Sequence, residues 1–407
     1  MRFHNLLLLI ITLNLGGCGK VADVVGTNPP PTNHAPNGES LPVISGDNVM
    51  SLTVNGANCS AGSYSNKPCV AIKICSVDNA HCQVINDILL DTGSFGLRLF
   101  SSVVTVPLLP VTNGPNTLAE CVQFGGGSTE WGTINMASVT LGNESPVQIP
   151  IQVINSSFGT RPTQCQNSDL NPIDAGFNGI LGVGFYPYDC GGLNNGCTTD
   201  PNNKMYYSCA GGTCVGTTVS NSHQVQNPIP FLAQDNNGLL ISLPSVSTGG
   251  AAYADGYLIL GIGTRSNNQP QGVSTFTANS NTGDFSAIFN GVAVASFLDT
   301  GSNAIYFDDA ITDCSKYSAQ ESIFYCPESQ INLSATTVGV NSVQEIIPFE
   351  VQNVNTLLSG GGSVFNNITG KGAGTFDWGL PFYLGRNVYQ GFYGKSSSLG
   401  SDNFWAY

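Results

Sequence analysis

The sequence predicts an all-β protein made of two related halves, and three observations carry that reading. Gly is abundant, 49 of 407 residues, among many Asn, Ser and Thr, while charged residues make up only 9%; this balance favours strands and turns over helices. Apolar runs at 70–75, 82–90, 147–154, 239–243, 257–260, 293–298 and 346–351 are separated by Gly, Asn and Pro, and no long stretch keeps a helical period. Finally, Ile88-Leu89-Leu90-Asp91-Thr92-Gly93-Ser94 is echoed by Ser296-Phe297-Leu298-Asp299-Thr300-Gly301-Ser302. Each copy is followed at similar distance by two bulky residues and a glycine, Ile180-Leu181-Gly182 and Tyr383-Leu384-Gly385. Two halves on one plan give halves at 41–225 and 226–407, the boundary falling near Gln226.

The ends say where the chain goes. Arg2, an apolar run at 6–15 and Gly16-Gly17-Cys18 make an export signal too short to remain as a membrane span. A cysteine directly after Leu15-Gly16-Gly17 resembles the lipobox of bacterial lipoproteins, which implies removal of the leader and acylation of Cys18. An ordinary signal with an incidental cysteine is the plainer alternative. Residues 19–40, with Pro29-Pro30-Pro31 and Pro36 among Asn, Thr and Gly, read as a tether that cannot bury a core. Loss of Arg2 with the signal leaves 11 basic residues against 26 acidic, a net charge of −15. So acidic a surface repels phosphate and excludes nucleic acid as a partner. The expectation is a monomer, exported to the cell envelope and held to a membrane by its lipid alone.

Thirteen cysteines less Cys18 leave twelve, an even number in an oxidising compartment. Short loops suggest Cys75–Cys82, Cys190–Cys197, Cys209–Cys214 and Cys314–Cys326; Cys59, Cys69, Cys121 and Cys165 are left for two further bridges. The stretch 190–215, with four cysteines, reads as a stapled surface insertion. No C-x-x-C occurs and only His81 and His223 lie beyond the tether, so no metal is expected. No nucleotide or cofactor fingerprint occurs either, and no Gly-x-Ser-x-Gly. Asp235-Asn236-Asn237-Gly238 lacks the later acidic ligands of a calcium loop and reads as a tight turn.

A lone Asp-Thr-Gly is usually a turn. Two copies, each ending an apolar strand, point to chemistry that needs two carboxyls together. Metal-free peptide hydrolysis requires a water held between an ionised and a protonated carboxyl. Like charges a few ångströms apart share one proton and titrate as a unit.

On these residues the chain resembles the pepsin family of aspartic proteases over nearly the whole region beyond the tether. Phe124-Gly125-Gly126-Gly127-Ser128 with Trp131-Gly132-Thr133-Ile134 is similar to that family's flap hairpin. The segment from Phe177 to Gly184 is similar to the one threading the first catalytic loop, and the segments 228–243, 256–264 and 378–385 are similar to parts of its second lobe. The chain is also similar to a group of bacterial lipoproteins sharing Asp377-Trp378-Gly379-Leu380-Pro381-Phe382. The resemblance implies a bilobal double-barrel fold with an active-site cleft between lobes. It implies that Asp91 and Asp299 hold the water and that Thr92 and Thr300 bond across the lobes. Gly93 and Gly301 would allow close approach, and Ser94 and Ser302 would steady the carboxylates. Phe124, Gly125, Gly126 and Gly127 would offer a flap to an extended peptide or protein substrate.

Three departures bear on activity. Phe124 stands where the family has tyrosine, Arg98 where a tryptophan is expected and Gly96 where an asparagine is expected near it; Trp131 is the candidate to rebuild the flap anchor. Two functions therefore compete: an acid-favouring endopeptidase, and a non-catalytic module that binds a peptide or glycan or inhibits a partner.

Overall fold

The computed structural model describes residues 38–60, 64–191, 196–317 and 322–407. The expected signal, Cys18 and the tether up to residue 37 lie outside the described residues, as do 192–195 of the cysteine-rich stretch. The fold is all-β: among the described residues twenty-six strands are joined by turns, and the three α-helices span four to six residues each. Among the described residues no helix is long and apolar enough to cross a membrane.

The strands fall into sheets of seventeen, seven and two. All seven apolar runs of the sequence are strands: Pro68–Cys75, Cys82–Asp91, Val147–Ile154, Gly238–Ser242, Ala254–Leu260, Val292–Phe297 and Gln344–Val351. Cys82–Asp91 shows how sequence sets this. Its first half alternates exposed and buried residues, and its second half, from Ile88, is buried throughout. There it lies between Pro68–Cys75, antiparallel, and Gly179–Val183, parallel. A strand covered on both sides reads as a continuous apolar run.

The two halves repeat one local design. Cys82–Asp91 leads into the first Asp-Thr-Gly loop, Phe95–Phe100 leads out, and Gly179–Val183 runs parallel to the former and antiparallel to the latter, with Gly182 opposite Asp91. Val292–Phe297 leads towards the second loop and Ile305–Phe307 away from it. There Thr375–Asp377 takes the third place, with Asp377 opposite Phe297. The counterpart of Ile180-Leu181-Gly182 is therefore Asp377-Trp378-Gly379, not Tyr383-Leu384-Gly385 as the sequence spacing suggested. Distance along the chain misled because the second half's loops differ in length, whereas pairing register is set by the pleat.

The division near Gln226 is not clean. Val49–Val54 pairs over its whole length with Ala254–Leu260. Gly238–Ser242, Asn387–Gly391, Phe404–Ala406 and Thr275–Thr277 continue that sheet. Only strands between Phe285 and Asp377 form the separate seven-stranded sheet. The end of the expected tether is docked as well: Gly38 N donates to Tyr253 O at 2.9 Å and Glu39 N to Ser245 O at 3.2 Å. Where the chain closes a sheet, backbone hydrogen bonds override composition as a guide to boundaries.

Six disulfides form. The four expected from short loops are present, and the remaining four cysteines pair as Cys59–Cys69 and Cys121–Cys165. By loop-closure entropy the Cys121–Cys165 bridge, 44 residues apart, stabilises by about 4 kcal/mol, against about 2 kcal/mol for Cys209–Cys214. The stretch 190–215 is more than a surface insertion. Its strand Tyr206–Ala210 adds to Asn116–Gln123, and Cys197, Tyr206 and Tyr207 are buried. Asp235, with φ 55°, sits in the expected turn, and Arg265 Nε and Thr264 Oγ1 donate to its carboxylate.

Candidate active site

Both Asp-Thr-Gly loops meet. Thr92 N donates to Thr300 Oγ1 at 3.1 Å and Thr300 N to Thr92 Oγ1 at 3.0 Å. Thr92 Oγ1 reaches Leu298 O at 3.1 Å, and Thr300 Oγ1 reaches Leu90 O at 2.7 Å. Each hydroxyl thus donates to a carbonyl and accepts an amide across the junction, so four buried backbone groups are satisfied reciprocally. Tyr383, wrongly aligned in the sequence repeat, braces this pair by placing its hydroxyl 3.1 Å from Thr92 Oγ1.

Within each loop the carboxylate is held in the same way. Asp91 Oδ1 accepts from Gly93 N at 2.8 Å and Ser94 N at 3.2 Å, and its Oδ2 accepts from Ser94 Oγ. Asp299 Oδ1 accepts from Gly301 N at 2.8 Å and its Oδ2 from Ser302 Oγ at 2.8 Å. Gly93 is obligatory: a β-carbon there would sit 2.6 Å from Asp299 Cγ. That approach is what brings the carboxyls together, and they hydrogen-bond to each other.

Both groups are wholly buried, and burial is the largest force raising each pKa. Against it, Asp91 has hydrogen bonds from Ser94, Asp299 and Gly93 that favour its charge. Asp299 instead meets two further carboxyls, Asp91 and then Asp377, and is pushed up further. Both carboxyls are thus pushed up, Asp299 the further, and the two titrate as one unit.

Asp377 is a third buried acid at the site. Its Oδ1 accepts from Gly379 N at 2.9 Å, and it hydrogen-bonds to Ser302, the residue that donates to Asp299. Burial pushes its pKa up to about 8 despite those two bonds. In the first half the matching position is Ile180, so the near-symmetry of the loops is broken by one carboxyl on the Asp299 side. Sequence reasoning quoted Asp377 only as part of a shared motif; registering Asp377-Trp378-Gly379 on Ile180-Leu181-Gly182 would have exposed it.

Phe124 and Ser128 close the expected hairpin, Phe124 N donating to Ser128 O at 3.0 Å, with Gly125, Gly126 and Gly127 in the turn and Gly127 at φ +88°. Phe124 is buried among Leu89, Phe100, Phe177 and Ile180. Trp131 does not rebuild a flap anchor: its Nε1 donates to Phe158 O at 2.7 Å, and its ring packs against Tyr207. Arg98 has another task. Fully buried, it donates to Glu120 at 2.6 Å, Gln152 at 2.9 Å and Asp189 at 3.0 Å. Burial works against its charge, but Glu120 and then Asp189 raise its pKa above the ordinary value. Glu120 lies in the hairpin strand Asn116–Gln123, and Tyr206 donates to Asp189 at 2.5 Å, so this network ties the hairpin to the cysteine-rich stretch.

One buried hydroxyl feels the charge of both carboxyls, on a residue the sequence did not single out. Tyr64 Oη is buried and has no hydrogen-bond partner among the described residues. Its pKa is raised well above the usual value by burial, then by Asp87, Asp91 and Asp299. As for metals, Cys59, Cys69 and Asp87 approach closely, but the two sulfurs are bonded to each other and are not free to ligate.

Among curated proteins none matches this chain. The chain belongs to the family described as protein of unknown function (DUF3443), whose sequence model matches residues 45–407.

Proposed function

We propose that the chain has a bilobal pepsin-like double-barrel fold and is an aspartic endopeptidase of the cell envelope, acting on extended peptides. The observation that carries this is the pair of buried, mutually hydrogen-bonded carboxyls of Asp91 and Asp299, locked by Thr92 and Thr300. A water held between them would give its proton to Asp91 as its oxygen attacks the peptide carbonyl. The proton on Asp299 would meet the oxygen that becomes negative, and collapse would expel the amine with a proton returned from Asp91. Tyr64 would supply the hydroxyl that Phe124 lacks. Since both carboxyls are raised, cleavage should follow a bell-shaped pH profile displaced to the alkaline side of ordinary carboxyl titration.

Digestion of a denatured-protein mixture between about pH 3 and 8, read by mass spectrometry, is the test. Asp91→Asn and Asp299→Asn should each abolish cleavage with the circular dichroism unchanged, and Tyr64→Phe should slow it. Cleavage surviving either dyad change would place the chemistry elsewhere.

One observation favours a non-catalytic binding module instead. Neither Asp91 nor Asp299 exposes any surface, and Phe124 is packed inward. Wild type that cuts nothing but binds an unfolded peptide would decide for that reading.

Export and a lipid anchor at Cys18 complete the proposal. The six disulfides support an oxidising compartment. Wild type should take up labelled fatty acid and Cys18→Ser should not; an unlabelled wild type removes the anchor.

A further inference from the structure

We propose that Glu130 and Asp169 form a proton-dependent latch at the foot of the Phe124 hairpin, closed while the two carboxyls share one proton and opened when both ionise. Glu130 stands just past the hairpin turn, second in the strand Thr129–Thr140 and opposite Val122. Asp169 belongs to a segment that packs along that strand. A parallel bridge joins Thr129 to Ser168, with Asp169 N donating to Thr129 O at 3.2 Å and Trp131 N donating to Ser168 Oγ at 2.9 Å. Side chains alternate in both segments, so the next residues along, Glu130 and Asp169, share one face.

On that face the two carboxyls meet. Glu130 Oε1 and Oε2 and Asp169 Oδ2 are buried, and no donor from any other described residue reaches them. The carboxyls hydrogen-bond to each other instead. Two ionised carboxylates only accept, so the contact requires a proton on one of them. Asp169 is half-buried, which leaves that proton a way to exchange with solvent.

The surrounding charges favour keeping it. Burial, then the charge of Asp169, push the Glu130 carboxyl well above its ordinary value, and Arg98 of the strand Phe95–Phe100 opposes them. Arg98 is already paired with Glu120 and Asp189. Burial also raises Asp169; the bond to Glu130 lowers it, and Asp174 of the helix Pro172–Ala175 raises it again. Gln152, on the strand Val147–Ile154, donates to Glu130 O at 3.2 Å and brings no charge. With the folded value raised, the contact stabilises at low pH and is lost as pH rises through it. Two adjacent charges sealed from water repel each other and must be hydrated. The other ties here, the Cys121–Cys165 bridge and the bonds at Thr129 and Trp131, do not titrate, and the bridge limits how far the segments part. Ionisation therefore loosens the hairpin without releasing it. This hairpin is the one read as a flap, but the latch does not depend on that reading.

Hydrogen exchange of the full chain from about pH 5 to about 9, read by mass spectrometry, tests the latch. Glu130→Gln is the reference at each pH, because its amide can donate to Asp169 without titrating and the solvent's effect on exchange is common to both proteins. The two should agree at the acid end over residues 121–131 and 165–169. Towards the alkaline end wild type should exchange faster there, by at least about tenfold. Asp169→Asn, which leaves Glu130 an amide donor and no second charge, should show a smaller rise. Should Glu130→Gln fail to fold, wild-type hairpin peptides are compared with those of Ile331–Val338 in the seven-stranded sheet, and should gain on them as pH rises. A ratio constant with pH overturns the latch, and an undiminished rise in Asp169→Asn overturns the pairing. No peptide cleavage enters this measurement, so its outcome is separate from that of the protease reading.

Discussion

Asp377→Asn should make the protein more stable at neutral pH while leaving its stability at pH 4 nearly unchanged. The carboxyl is fully buried, and its pKa rises from 3.8 to about 8 on folding. An acid whose folded pKa is the higher one keeps its proton in the native state after the unfolded chain has released it. Its contribution is therefore most favourable below pH 3.8 and is lost as pH rises towards about 8, where the native carboxyl ionises too. Across that window the loss amounts to several kcal/mol. Asparagine has no proton to lose. Its oxygen can accept from Gly379 N as the carboxyl does. Denaturant melts of both proteins from about pH 4 to 8 measure the difference, which should grow with pH. A constant difference would mean that Asp377 does not titrate in this range. The same variant should narrow the alkaline limb of any cleavage profile, since it removes one of the two carboxyls that push Asp299 up.

Arg98→Met should be among the most damaging single changes in the chain, destabilising by about 3–5 kcal/mol. One guanidinium donates to Glu120, Gln152 and Asp189, all of them buried. Its loss would leave two buried carboxyls without their cation. The Glu120 carboxyl is already pushed well above its usual value by burial, with Arg98 pulling it down and Asp189 raising it. Adding Glu120→Gln should recover part of the loss, and the double-mutant cycle reports the coupling. Additive effects of the two changes would show that Arg98 acts by packing alone. The consequence for function is that Arg98 cannot be exchanged for the tryptophan expected from the resemblance: at this position it anchors the Phe124 hairpin from behind.

What could be read from the chain itself was periodic or local. Seven apolar runs are strands because alternation or continuous burial marks them wherever they lie. Four disulfides followed from spacing, since loops of five to twelve residues leave little choice of partner. The doubled Asp-Thr-Gly-Ser was visible because four identical residues on two apolar strands survive any loop length between them. Long-range pairing was not. Cys121–Cys165, 44 residues apart, stayed open until the strands were placed, and it kept Cys59–Cys69 open with it although that loop is only 10 residues. The third carboxyl, Asp377, came to light only through the register of Thr375–Asp377 on Val292–Phe297, and Arg98 acquired its partners from residues 22, 54 and 91 positions away. Sequence by itself determined which groups could do chemistry. Tertiary structure decided which of them share a low-dielectric site, because a pKa depends on burial and on neighbours that only folding brings together.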